Sequence, residues 1–178
     1  MDERFLLSQL RHDSTREEAF TSLIRQYQEP LYWQIRRMVL HHDDADDVLQ
    51  NTFVKAWTGI DSFRGECKIS TWLYRIAINE TLSFLDKKKK TPSGCDADIT
   101  VADTLIGDIY FDGDRTQAQL QEAVAQLPEK QRLVFNMKYF QEMTYEDISE
   151  ILGTSVGALK ASYHIAVKKI TSFFDKND

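Results

Sequence analysis

Residues 41–47 read HHDDADD, two histidines and four aspartates in seven positions. Imidazole and carboxylate can share a divalent metal, and paired carboxylates can do general acid–base work. Metal ligands, however, must converge from facing positions and be oriented by further partners. Neighbours on a loop and a first helical turn point apart. Asp43 or Asp44 fits an N-cap instead, and further first-turn aspartates each gain about 0.3–1 kcal/mol from the helix dipole. A capped helix start is therefore predicted here, with no metal. The chain has no phosphate-binding glycine loop, no His-Glu-x-x-His and no serine elbow, so neither an enzyme nor a cofactor is expected. Cys67 and Cys95 lack metal-ligand spacing and are predicted to be free thiols in a reducing compartment.

A second chemistry is suggested by basic and aromatic residues. In residues 62–69, SFRGECKI, Phe63 offers an aromatic face, Arg64 and Lys68 could hold phosphates, and Gly65 would permit close approach. Residues 144–170, TYEDISEILGTSVGALKASYHIAVKKI, suit two helices joined at Gly153, with Thr144 capping the first and Ser155 the second. That is helix-turn-helix geometry, whose second helix enters a DNA major groove. Val156, Leu159, Tyr163, Ala166 and Ile170 would face inward, leaving Gly157, Lys160, Ala161, His164 and Lys168 outside. Three lysines and no acid between Gly153 and Ile170 favour phosphates, although a plain helical hairpin with a solvated basic face fits the same pattern.

The elements that must carry these residues are all helical. With 178 residues, 42% of them hydrophobic, the chain can build one domain or two small ones. Ser14 and Glu17 form a capping-box pattern ahead of a helix that Pro30 should bend or interrupt. A second helix carries Leu49, Phe53, Trp57 and Ile60 inward and ends near Gly59; a third, capped by Ser70 or Thr71, carries Trp72, Leu73, Ile76, Ala77 and Leu82. Residues 91–115 hold Pro, three Gly and six Asp without a sustained period and are predicted to be a linker. Helical patterning resumes at Thr116 and restarts at Pro128 and Thr144. The expected fold is all-α, two small helical domains (1–90 and 116–178) joined by an acidic flexible linker. The net charge of -6 conceals strong asymmetry, since residues 51–90 carry 8 positive and 4 negative charges while 91–127 carry 1 and 7. The acidic start and the lack of a long apolar run predict a cytoplasmic protein without membrane insertion.

Residues 127–160, LPEKQRLVFNMKYFQEMTYEDISEILGTSVGALK, closely resemble region four of the extracytoplasmic-function sigma factors, including its leucine-proline-x-x-x-arginine phrase. Separately, DDADDVLQNTFVKAW and SFRGECKISTWLYRIAINETLSFL resemble that family's region two. The resemblance implies an initiation factor that binds core RNA polymerase and promoter DNA, and many relatives are held by an anti-sigma factor. It places core polymerase docking, on the clamp helices of the large subunit, at Asp46, Asp47, Gln50 and Asn51. It places minus-ten recognition and melting at Phe63, Arg64, Gly65, Lys68, Arg75, Asn79, Lys87 and Lys88. Minus-thirty-five recognition falls to Ser155, Gly157, Lys160, Ala161, His164, Lys168 and Lys169.

Several of these residues also have structural readings. Phe63 could be core, Arg75 could pair with Glu80 or Asp86, Lys87 to Lys90 could be a solvated helix end, and the linker could be a tether or lie in a basic polymerase channel. The recognition helix departs from the family pattern TVKSRLxRA: Ala161, Ser162 and Ile165 stand where relatives have a serine and two arginines. An autonomous helix-turn-helix regulator is the alternative, but it leaves both region-two blocks unexplained.

Overall fold

The computed structural model describes residues 3–90 and 115–177. Among these, every regular element is helical. The predicted linker, apart from Arg115, and Cys95 within it lie outside the described residues.

A short helix α1 (Glu3–Leu10), not anticipated from the sequence, buries Leu6 and Leu10 against α2 (Asp13–Val39). The Ser14 capping box does not form, because the chain leaves α1 already turning. Thr15 and Arg16 amides donate to the His12 carbonyl at 3.0 and 2.9 Å, and the Thr15 hydroxyl reaches back to the Gln9 carbonyl at 2.8 Å. Ser14 is therefore inside the helix, and the N-cap position is His12, which makes no side-chain cap. Nor does Pro30 end α2. Proline removes one donor from the ladder, but Leu31, Tyr32 and Ile35 beyond it are buried and keep the helix in place.

Leu40, at φ 71°, closes α2 and sends the chain into α3 (His42–Gly59). Asp43 and Asp44 lie in the first turn of α3 rather than at its cap, which is His41. The innermost residues of α3 are Ala45, Val48, Thr52 and Ala56. Leu49, Phe53 and Trp57, the predicted inward stripe, are half-buried beside them, with Phe20 edge-on to Phe53 and Trp57 at 6.5 and 5.0 Å. Small residues let α3 approach α2 closely, and the aromatics fill its flank. A 3-10 turn (Ile60–Ser62) leads to α4 (Ile69–Lys90). Ser70 and Thr71 fall within its first turn, where the Trp72 amide donates to the Lys68 carbonyl at 3.1 Å. The buried side of α4 is Ile69, Leu73, Tyr74, Ala77 and Ile78, rotated by about a residue from the predicted stripe, so Trp72, Ile76 and Leu82 are half-buried.

The second half comprises α5 (Arg115–Ala125), α6 (Glu129–Phe135), a π-helical turn (Asn136–Phe140), α7 (Tyr145–Leu152) and α8 (Val156–Asn177). It packs onto α2 and α4: Met38 and Ile78 join Leu133, Val134, Met137, Ile148 and Leu159 in one buried cluster. Arg132, the arginine of the leucine-proline-x-x-x-arginine phrase, ties this seam. Its guanidinium donates to the carbonyls of Ala125 (2.5 Å), Leu127 (3.1 Å) and Met38 (3.1 Å), closing the end of α5 and bridging to α2. Burial is the main cause that lowers its pKa. Arg132→Ala leaves three carbonyls without this donor and is expected to cost about 2 kcal/mol, read as a lower urea midpoint, with Arg132→Lys recovering only part because an ammonium lacks the planar fork.

Candidate functional site

Three surfaces carry the residues singled out by sequence. On α3, Asp46, Asp47, Gln50 and Asn51 are all exposed, and Val54, 57% exposed, extends the same strip. Asp46 is held by a local chain of contacts: its carboxylate lies 3.2 Å from Nε2 of His42, and Nδ1 of His42 lies 2.7 Å from the Tyr32 hydroxyl. Beside it, Gln28, Glu29, Tyr32, Trp33 and Leu49 line a cleft of about 300 Å³. Sequence reasoning missed Glu29, Trp33 and His42; the i, i+4 spacing of His42 and Asp46 was the available signal. Among the described residues no three His, Cys, Asp or Glu side chains are grouped to hold a metal ion.

The second surface is the loop after α3 and the exposed side of α4. Gly65 takes φ 75°, open to solvent, and Arg64 is exposed with Glu66 at 3.9 Å. Phe63 is 7% exposed, with its ring 5.1 Å from Trp72, so it belongs to the core and presents no open face for a base. Trp72 in turn lies against Gly59, where an added Cβ would meet it at 3.4 Å. Arg75 pairs with neither Glu80 nor Asp86: Glu80 is taken by Lys55 at 2.5 Å, and Arg75 donates to the Glu150 carbonyl of α7 at 2.6 Å. Its other nitrogen is 3.8 Å from the Cys67 sulfur. Lys68 lies 3.7 Å from Asp147, also on α7. Asn79 and Lys87 are exposed, whereas Lys88 is bound to Asp44 at 2.6 Å and Lys89 to Glu129 at 2.7 Å. Of the basic groups on this surface, Arg75 is thus held by the first helix of the helix-turn-helix, whereas Lys68 stays largely exposed beside it.

The third surface is that helix-turn-helix, and its local rules hold as predicted. Thr144 accepts from the Asp147 amide at 3.1 Å, Gly153 takes φ 65°, and Ser155 accepts from the Ala158 amide at 3.3 Å. Leu159, Ala166 and Ile170 are buried and Val156 and Tyr163 half-buried, while Ser155, Gly157, Lys160, Ala161, His164, Lys168 and Lys169 are exposed. Lys160 lies 5.7 Å from the Tyr145 ring, and Lys169 donates to Gln131 at 3.0 Å. Lys168, Lys169 and Lys176 share an open cleft with Gln126, Ser172 and Phe173.

Asp147 joins the second and third surfaces. The Thr144 hydroxyl, donating at 2.6 Å, is the chief cause that lowers its carboxyl pKa, and Lys68 adds to the shift. A carboxylate depressed in the folded state stabilises fully above its unfolded value, near 3.9, and the contribution is lost as pH falls through the lower folded value. Acid unfolding should therefore steepen below about pH 4. That component should vanish in Asp147→Asn and shrink in Thr144→Val; identical acid profiles for all three proteins would contradict the assignment.

Comparison with known proteins finds matches to both halves of the chain. Residues 23–91 match the Sigma-70 region 2 family and residues 117–170 match Sigma-70, region 4. The chain is 33% identical over 159 residues to the ECF RNA polymerase sigma factor SigW of Bacillus subtilis (strain 168), covering 83% of this chain and 84% of that protein. It is 30% identical over 161 residues to the RNA polymerase sigma-H factor of Pseudomonas aeruginosa, covering 82% and 80%. Among solved structures it resembles CnrH in complex with the cytosolic domain of CnrY, at a TM-score of 0.73 and 21% identity, over 99% of both chains. It also resembles the sigma factor RpoE in complex with the anti-sigma factor NepR from Bartonella quintana, at 0.70 and 22%, over 88% of this chain and 96% of that one. These two likenesses concern the fold. With both sigma regions in order and two such relatives matched over four-fifths of their length, the chain belongs to the extracytoplasmic-function sigma factors of RNA polymerase.

Proposed function

We propose that the chain binds core RNA polymerase in the cytoplasm and directs initiation at a specific set of promoters, without catalysing a reaction itself. The observation that carries this reading is the capped helix-turn-helix in a chain that also matches the family's other region over residues 23–91. An autonomous regulator would use the former and have no need of the latter. Residues 1–90 would dock polymerase and open the minus-ten element, residues 91–115 would link, and residues 116–178 would read the minus-thirty-five element. An anti-sigma partner belongs to the same reading, supported by the NepR complex of the similar sigma factor from Bartonella quintana.

Physical chemistry supports a division of labour among the three surfaces. The α3 strip presents two carboxylates and two amides around exposed Val54, which suits a basic, partly apolar helix and would repel phosphates. Arg64, Lys68, Asn79 and Lys87 present donors suited to a melted strand, and Arg75 would join them once α7 moves away. Gly65, whose left-handed backbone meets no neighbour within 4 Å, leaves room for a strand to lie close. Lys88 would need to exchange Asp44 for a phosphate, an exchange between charge-assisted partners at an exposed site.

Two measurements test the reading. Asp47→Lys should abolish copurification with core polymerase while leaving the helical circular-dichroism spectrum unchanged; normal holoenzyme formation by that variant would refute docking through α3. In the holoenzyme, Lys160→Ala should weaken promoter binding across all sequences and reduce the salt slope by about one, as loss of a single phosphate contact requires. An unchanged affinity and slope would remove Lys160 from the interface.

A further inference from the structure

The outward side of α8 has an unusual chemistry for a helix that must read base edges. At about 100° per residue, Gly157, Ala158, Ala161, Ile165 and Lys168 fall on the arc opposite Leu159, Ala166 and Ile170, which are buried. Ile165, 44% exposed, lies on that arc one turn beyond Ala161. A single exposed isoleucine means little on an ordinary surface. This one occupies a position where the family pattern has arginine, on the helix that the Ser155 cap and the Gly153 turn direct outward. Lys168 and Lys169, at i+3 and i+4, and His164 beside it are its exposed basic neighbours, and no carboxylate lies between Gly153 and Ile170.

Arginine at such a place would select guanine through O6 and N7. Isoleucine and alanine offer no donor at all. The apolar feature that a major groove presents is the thymine 5-methyl group, and Ala and other small apolar side chains are its usual partners. The N-terminal turn of α8 also permits close entry, since a Cβ placed on Gly157 would find nothing within 4 Å. We infer that Ile165 and Ala161 read thymine methyl groups in the minus-thirty-five element, so that this sigma factor selects T·A pairs where an arginine would select guanine. Lys160 and Lys168 hold the helix in the groove through phosphates, leaving His164 as the exposed imidazole on the same arc. The inference rests on the minus-thirty-five reading of residues 116–178 proposed above and specifies what that surface recognises.

The test uses reconstituted holoenzyme and a promoter library randomised over the minus-thirty-five element, with transcribed templates sequenced. The full-length chain should enrich thymine at one or two central positions. Replacing that thymine by deoxyuridine, which removes only the methyl group, should lower open-complex formation about fourfold, the factor expected for one buried methyl. Ile165→Ser should erase the thymine–uracil difference, and Ile165→Arg should move the preference at that position to guanine. Guanine enrichment by the unaltered chain, or equal use of thymine and deoxyuridine at every enriched site, would overturn the inference while leaving the sigma-factor reading intact. Failure of holoenzyme to initiate from any library member would overturn both.

Discussion

Helix α2 is the constraint on which the rest of the molecule depends. It runs 27 residues without a break and serves both halves: α1, α3 and α4 pack on it from the first, and α5, α6 and the π-helical turn from the second. Its continuity past Pro30 is therefore structural. Gln141 donates to the Pro30 carbonyl at 3.0 Å and accepts from the Tyr74 hydroxyl at 2.8 Å, so one amide from the second half fixes α2 and α4 together. Burial pushes the Tyr74 phenol up to about 12, chiefly by desolvation, which keeps it a donor throughout the neutral range. Eight residues further along α2, Arg132 closes on Met38.

The seam has a mixed character. Besides its apolar cluster it encloses Arg37, which lies over the Trp33 ring at 5.2 Å and the Phe140 ring at 4.0 Å and is lowered to about 10, mainly by burial. The side-chain amides of Gln34 and Asn136 are buried, 2% and 0% exposed, with no hydrogen-bond partner. Burying such groups without partners costs roughly 1–3 kcal/mol each. Those costs offset part of what the apolar cluster contributes, so the closed arrangement is held more weakly than its area alone would suggest. The same seam engages the Arg75 guanidinium through the Glu150 carbonyl.

Much of this was legible where the governing forces are local. Thr144, Gly153 and Ser155 act over three or four residues, and the buried side of α8 follows from its period, so the helix-turn-helix could be read directly. The boundaries that failed were the ones decided by neighbours. Ser14 lost its capping role because α1 delivers the chain to α2, and Asp43 and Asp44 lost theirs because the left-handed Leu40 starts α3 at His42. Arg75 could not be matched with its partner because that partner is a backbone carbonyl 75 residues away, with no sequence signature of its own. The arginine of the leucine-proline-x-x-x-arginine phrase was recognisable as a motif, yet its task as a triple carbonyl donor required the fold.

The Gln141–Pro30 contact joins positions 111 residues apart. Contacts of that separation close late, because the intervening chain must first be gathered, whereas each helix forms from near neighbours. A ribosome adding roughly 5–20 residues per second releases the first four helices seconds before α6 and α7 exist. During that interval the nascent chain displays Met38, Ile78 and Arg75 without the C-terminal helices that engage them. Synthesis thus passes through a stage in which the front half is open by default, and completion of the C-terminal helices is the event that first closes it.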